Sequence, residues 1–129
     1  MSGDRRTIAT DSAPGAIGPY SQAIASQGVL YCSGAIPLDP ETGDLVGETP
    51  AEQAAQCLRN LAAVAEVAGT SLQRALRLTV YTTRLEEFAA INEAYAAFFA
   101  DDPPARAAVG VAALPKGALV EIDAVIALT

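Results

Sequence analysis

Apolar residues recur along this chain with two periods, and the periods mark its elements. From Leu119 to Leu128 the alternation is clean: Val120, Ile122, Ala124 and Ile126 fall on one side, Glu121 and Asp123 on the other. That is the pattern of a half-buried strand. Ala75 to Thr83 carries Leu76, Leu78, Val80 and Tyr81 in partial alternation, and its β-branched residues predict a second strand. Ala105 to Ala113 is a third. Near the start, Arg5 to Ala9 predicts a short edge strand. Tyr20 to Ser26 and Val29 to Ser33 flank Gln27-Gly28, which predicts a hairpin. Between these runs, Asp11 to Gly18 is rich in Pro, Gly, Ala and Ser and reads as a loop, and Asp39 to Asp44 is a turn.

The other period is helical. Thr49-Pro50-Ala51-Glu52 supplies an N-cap hydroxyl, a proline at the first helical position and a glutamate at the third, the signature of a capping box. Ala54, Leu58, Leu61, Ala65 and Ala68 then repeat at helical spacing, while Gln53, Gln56, Arg59, Asn60 and Glu66 fall mostly on other faces. Gly69 stops the helix. A second helix is predicted from Leu85 to Ala100, with a buried stripe of Phe88, Ile91, Tyr95, Phe98 and Phe99, ended by Asp101-Asp102-Pro103-Pro104.

About six strands and two helices, alternating only in the middle, predict an α+β domain with both helices packed on one face of a mixed sheet. No low-complexity linker interrupts residues 1–129, so a single domain is expected. Apolar residues on both faces of the late strands suggest that copies of the chain cover the opposite face.

Composition narrows the chemistry. The chain has no histidine, which removes Ser-His-Asp and Cys-His catalysis and any imidazole-based zinc site. Cys32 and Cys57 cannot form a four-thiolate site and are expected to be reduced, buried thiols. No metal and no organic cofactor is expected. Eight basic residues against 15 acidic give a net charge of −7, which argues against a nucleic-acid partner. It leaves room for one arginine to bind a small carboxylate. No apolar run approaches the ~20 residues of a membrane span. Met1 to Arg6 has no apolar stretch behind its arginines, so no secretory leader is expected and the predicted location is cytoplasmic.

Four segments then resemble one family across nearly the whole chain. They are Ala13-Pro14-Gly15-Ala16-Ile17-Gly18-Pro19-Tyr20-Ser21-Gln22-Ala23, Ser33-Gly34-Ala35-Ile36-Pro37, Pro104-Ala105-Arg106, and Leu114-Pro115-Lys116 with Val120-Glu121-Ile122-Asp123. In this order they resemble the Rid (reactive intermediate deaminase), or YjgF-like, family. The resemblance implies a chorismate-mutase-like fold, a homotrimer, and pockets lying between subunits. It also implies hydrolysis of reactive 2-imino and 2-enamino acids, such as iminopropionate, to 2-oxo acids and ammonia. The subfamily that keeps the pocket arginine holds the deaminases, and Arg106 matches it. One departure is Ala108, where archetypal members often carry cysteine.

The residues fit that chemistry. Arg106 offers a planar fork that matches a carboxylate. Glu121 is the candidate for orienting water, taking its proton and returning it to the departing nitrogen. Asp123 is expected to be an exposed acid on the polar face of its strand. Tyr20 follows the Gly18-Pro19 turn, so its ring can pack on a substrate and its hydroxyl can hydrogen-bond. Ser33 with Gly34 allows a close approach and a hydrogen bond, but Ser33 has no histidine to make it a nucleophile. Asn92 resembles a family position near the pocket, Ala108 lies beside Arg106, and Phe88 is expected to pack in the core. The competing readings are a small-carboxylate-binding or chaperone-like trimer, and a chorismate mutase. The mutase needs a strongly cationic pocket. Ribonuclease activity fits poorly with the net charge and the missing histidine.

Overall fold

A computed structural model describes residues 4–129; Met1 to Gly3, part of the segment examined for a leader, lie outside the described residues. Six strands form one sheet in the order β1-β2-β3-β6-β4-β5. They are β1 (Arg6–Ile8), β2 (Ala23–Ser26), β3 (Val29–Ala35), β4 (Ala75–Thr82), β5 (Ala105–Gly110) and β6 (Val120–Ala127). Only β4 and β5 run parallel; the other neighbours are antiparallel. Helices α1 (Pro50–Val67) and α2 (Phe88–Ala96) pack together, and α1 lies against β3 and β6. The predicted α+β architecture is the observed one.

Local chemistry sets the elements. In the β2–β3 hairpin, Gln27 and Gly28 both take positive φ, 51° and 80°, the backbone of a two-residue turn whose twist suits paired strands. The first strand of that hairpin starts at Ala23, not Tyr20, because Tyr20 to Gln22 are held in the preceding loop. Thr49 caps α1 by accepting from the Glu52 amide at 3.2 Å. Glu52 reaches back one residue further than a capping box requires, to the Glu48 amide at 2.8 Å. At the other end Gly69 (φ 91°) donates to Glu66 O and Thr70 to Ala65 O. These two bonds are a Schellman ending, which needs the left-handed conformation at Gly69. The second helix is shorter than predicted: Leu85–Glu87 form a single 3-10 turn and α2 begins at Phe88.

The core lies between the helices and one face of the sheet. Val120, Ile122, Ala124 and Ile126 are buried there, with Leu30, Leu78 and Val80 from the neighbouring strands and Leu58, Leu61 and Ile91 from the helices. Two expectations need correction. Gln53, Gln56 and Asn60 are not on outer faces; they are buried. Their amides stitch α1 to the loops: Asn60 donates to Ile36 O and Leu38 O, Gln56 to Leu38 O, and Gln53 takes the Leu119 amide at 2.7 Å. Such loops carry backbone groups that strands cannot satisfy, and a buried amide side chain satisfies them. Phe88 is the second correction. It is half-buried, and its ring lies under a guanidinium and not in the core. Among the described residues, no helix is long and apolar enough to cross a membrane.

Candidate functional site

The site begins at an irregularity in β3. Cys32 pairs with Ala124 and Ala35 with Ile122, so three steps on β3 oppose two on β6. That extra residue is a β-bulge, and a bulge re-aims the side chains within it. It falls at Ser33-Gly34. The Ser33 amide donates to Gln22 O at 2.9 Å, and its hydroxyl donates to Ser21 O at 2.6 Å. With its proton engaged, the Ser33 oxygen is an acceptor toward the cleft.

Gly34 is where glycine is required. A Cβ there would overlap Glu121 Oε2 and stand 3.0 Å from its Cδ. The bare backbone lets the Glu121 carboxylate lie across the bulge. Burial raises the Glu121 pKa, and the neighbouring Asp123 charge raises it further. Asp123 is not simply solvated, because Tyr81 donates to it at 3.0 Å. The obstructing atom in a Gly34→Ala variant is the end of a mobile side chain. The fold is therefore expected to survive, with Glu121 displaced. Any activity that depends on Glu121 should fall on the order of 10²-fold, the scale of an ångström-sized misplacement. Combining Gly34→Ala with Glu121→Gln should add little to the glutamine variant alone; full additivity in the double-mutant cycle would refute the contact's role.

Tyr20 completes this side. Its amide bonds Gly18 O at 2.8 Å, a tight turn that swings the ring outward, and its hydroxyl accepts from the Ile17 amide at 3.2 Å. The hydroxyl proton stays available for a ligand. Tyr20, Ser33, Gly34 and Glu121 thus line one cleft of about 280 Å³, with Ile17, Ile36 and Pro115 as apolar walls. Sequence reasoning missed the residue that holds the loop. Gln22 donates to Thr10 O, Ala13 O and Pro14 O and accepts from the Thr10 amide. The signal was there: an amide side chain placed just after a loop full of unpaired carbonyls.

Arg106 is elsewhere. It sits on the edge strand β5, opposite the fully buried Leu78, and so faces the helices. Its Nη1 donates to Asn92 Oδ1 at 2.7 Å. The guanidinium carbon is 5.1 Å from the centre of the Phe88 ring and 4.9 Å from that of Tyr95. Phe88, Asn92 and Tyr95 lie on one face of α2, so a single helical stripe grips the cation. Among the described residues the buried Tyr95 hydroxyl has no hydrogen-bond partner; burial raises its pKa, and the Arg106 charge offsets only part of that rise. Ala108 follows on the same side of β5 and is exposed. Glu121 alternates with the core residues Val120 and Ile122, so it faces away from the helices. Arg106 and Glu121 are therefore on opposite faces of the sheet, separated by β4. One chain brings Tyr20, Ser33, Gly34 and Glu121 together, and separately Arg106, Asn92 and Ala108.

The cysteines belong to neither group. Cys32 is buried on the helix side, and burial with the Asp123 charge pushes its pKa up to about 12. Cys57 is buried in the core and shifted in the same direction.

Comparison with known proteins fits this geometry. A family model described as Endoribonuclease L-PSP matches residues 10–128. The chain belongs to the YjgF/Rid family. RutC family protein y4sK of Sinorhizobium fredii is 53% identical over 122 residues, covering 95% of this chain and 97% of that protein. The human 2-iminobutanoate/2-iminopropanoate deaminase is 46% identical over 121 residues, 94% of this chain and 88% of the relative. Among solved structures, RidA from an Antarctic Psychrobacter superposes with a TM-score of 0.91 at 44% identity, covering 95% of this chain and 98% of that one. All seven candidate residues lie inside the region matched by the Rid family model.

Proposed function

We propose that the protein is a hydrolytic deaminase of 2-imino acids and their enamine tautomers, acting at sites between copies of the chain in a homotrimer. The observation that carries this reading is the split arrangement. A cleft with one carboxylate, one phenol and no Lys or Arg in its lining stands apart from a gripped arginine on an edge strand. A second copy that set its Arg106 against the first copy's cleft would unite the two halves. The open face of the sheet supports such an assembly, since Tyr31 (52%) and Val109 (41%) are exposed there, and at the cleft Ile17 (52%) and Tyr20 (46%) are exposed too.

In the united site Arg106, supported by Asn92, binds the substrate carboxylate and thereby fixes which face of the C=N bond meets Glu121. Tyr20 packs on the substrate, and Ser33 and the Gly34 backbone approach it closely; Ala108 leaves space beside the arginine. Water bonds to C2 of the iminium while Glu121 takes one of its protons, giving a carbinolamine. Glu121 returns the proton to the nitrogen, the C–N bond breaks, and the hydroxyl proton passes to the Glu121 carboxylate and on to solvent, so that C2 becomes the carbonyl carbon of the 2-oxo acid as ammonia leaves. The name of the human relative supports the same substrate class. The endoribonuclease wording of the family model is less well supported here, because the chain carries a net charge of −7 and has no histidine to serve as the acid or base of phosphodiester cleavage.

The deciding assay generates iminopropionate with an amino-acid oxidase and traps what survives with semicarbazide. Suppressed trapping with this protein is the expected result. Unchanged trapping across several imino acids would leave a carboxylate-binding or chaperone-like trimer as the better account, and a monomeric mass by light scattering would refute sites between subunits.

A further inference from the structure

The sheet face turned away from the helices carries a second carboxylate beside Glu121. On β6, Glu121 and Asp123 alternate with the buried Val120, Ile122 and Ala124, so both point to the open face. Alternate residues of a strand stand about 6.6 Å apart, inside the ~8 Å screening length of physiological salt. Both are only partly exposed. The pairing with β4 sets Tyr81 opposite Glu121 and Thr79 opposite Asp123. The Tyr81 hydroxyl reaches past its own partner to the diagonal one and donates to Asp123 Oδ2 at 3.0 Å. A hydrogen bond to the ionised form keeps Asp123 charged and fixes where that charge stands.

The surrounding groups leave this charge in place. Arg77 is the other diagonal neighbour of Asp123 on β4, and among the described residues it forms no ion pair with Asp123 or Glu121. From β3, Tyr31 lies opposite Val125, and Ser33 and Gly34 bring no charge. Tyr20 brings only a phenol to the cleft, and Lys116, beside Pro115 of the cleft wall, is exposed and outside the lining. Behind the sheet, burial holds Cys32 and Cys57 as neutral thiols.

We propose that Asp123, anchored by Tyr81, is a positioning residue for Glu121: a fixed negative charge that governs how strongly Glu121 holds a proton between taking it from water and returning it to nitrogen. The inference rests on the deaminase reading for the reaction that is tuned, and on the β4–β6 pairing for the tuning. A guanidinium brought to the same cleft by a second copy favours ionised Glu121 and makes it a weaker base. Asp123 opposes that pull, and because it lies outside the cleft lining it acts through Glu121 and not on the substrate.

The test uses Asp123→Asn, which removes the charge but keeps an oxygen for Tyr81, and Tyr81→Phe, which keeps the ring but frees the carboxylate. In Asp123→Asn the acid limb of kcat/KM for iminopropionate should move to lower pH. The plateau should fall about threefold, because Glu121 is then a weaker base. A Brønsted dependence is less than proportional, so the two profiles should cross, with the variant faster than the wild type at the acid end. Structural damage would lower the rate at every pH and give no crossing. Tyr81→Phe should shift the limb the same way by less, and should add nothing to Asp123→Asn. Carbon-13 NMR of protein labelled at the glutamate carboxyls reads Glu121 directly, its signal assigned by its loss in Glu121→Gln. The Glu121 midpoint should drop in Asp123→Asn, and Tyr81→Phe reports if that variant does not fold. If the midpoint drops but no imine is consumed, the tuning of Glu121 stands and the deaminase reading falls. If imines are consumed but neither midpoint nor limb moves, the tuning falls and the deaminase reading stands. A Tyr81→Phe shift that persists in the Asp123→Asn background also overturns the proposal, because Tyr81 would then act on Glu121 without Asp123.

Discussion

Arg106→Ala is expected to lower kcat/KM for iminopropionate about 10³-fold, the scale set by losing two charge-assisted hydrogen bonds of roughly 1.5–3 kcal/mol each. A guanidinium carries five donors, and one of them goes to Asn92. The rest can meet both oxygens of a carboxylate in one plane. The Phe88 and Tyr95 rings fix that plane in advance, so little side-chain entropy is lost on binding. Arg106→Lys keeps the charge but not the fork, and should recover less than a tenth of the lost activity. Arg106→Ala should also lower stability by roughly 1–3 kcal/mol, because the guanidinium ties the edge strand β5 to Asn92, Phe88 and Tyr95 of α2; a kcat/KM loss that persists well below the melting temperature separates the two effects.

The same variant tests where the site lies. Arg106→Ala chains keep Glu121, and Glu121→Gln chains keep Arg106. If each site takes its arginine from one copy and its carboxylate from another, refolding the two inactive variants together restores intact sites. Random mixing in equal amounts gives about a quarter of the native sites, since each of the two contributions is sound half the time. If both residues came from one chain, no mixture would recover activity. The opposite-face placement of Arg106 and Glu121 makes the first outcome the expected one.

How much of this was legible in the sequence depends on the range of the interaction. The alternation of β6, the Gln27-Gly28 turn and the Thr49 and Gly69 ends of α1 are local, and residues within a few positions determine them. Gln53, Gln56 and Asn60 were misplaced because a periodicity count ranks amides as outward-facing. It cannot see that the loop carbonyls at 36 and 38 would come to lie beside them. The bulge at Ser33-Gly34 is equally invisible locally, because it is a mismatch between β3 and a strand about 90 residues later. Phe88 looked like a core aromatic by spacing, but its stripe on α2 meets the edge of β5, where a cation takes the place of a hydrophobic partner. The candidate residues themselves were legible through the family resemblance. Their division between two faces was not, because it depends on how β4 separates β5 from β6.

Glu121→Gln should cost about 10³-fold in kcat/KM, within the usual range for removing a general acid–base group. It should not cost stability. Burial and Asp123 hold the Glu121 pKa above its ordinary value, so the folded protein binds that proton more tightly than the unfolded chain. The ionised carboxylate therefore opposes folding once the pH rises through the folded-state value, and the penalty is absent below the unfolded-state value. At neutral pH the glutamine variant should melt at or slightly above the wild-type temperature, and the two should converge when acidified below the ordinary carboxylate range. Catalysis should show the same group. The acid limb of the wild-type kcat/KM profile, corrected for spontaneous imine hydrolysis, should lie above an ordinary glutamate pKa and vanish in the glutamine variant. A variant that loses activity and melts much lower would mean that Glu121 is structural. A variant that keeps the acid limb would transfer the proton-handling role to another group in the cleft. Loss of the limb with unimpaired stability fits a carboxylate kept over a bare glycine backbone for its chemistry, at some expense to the fold.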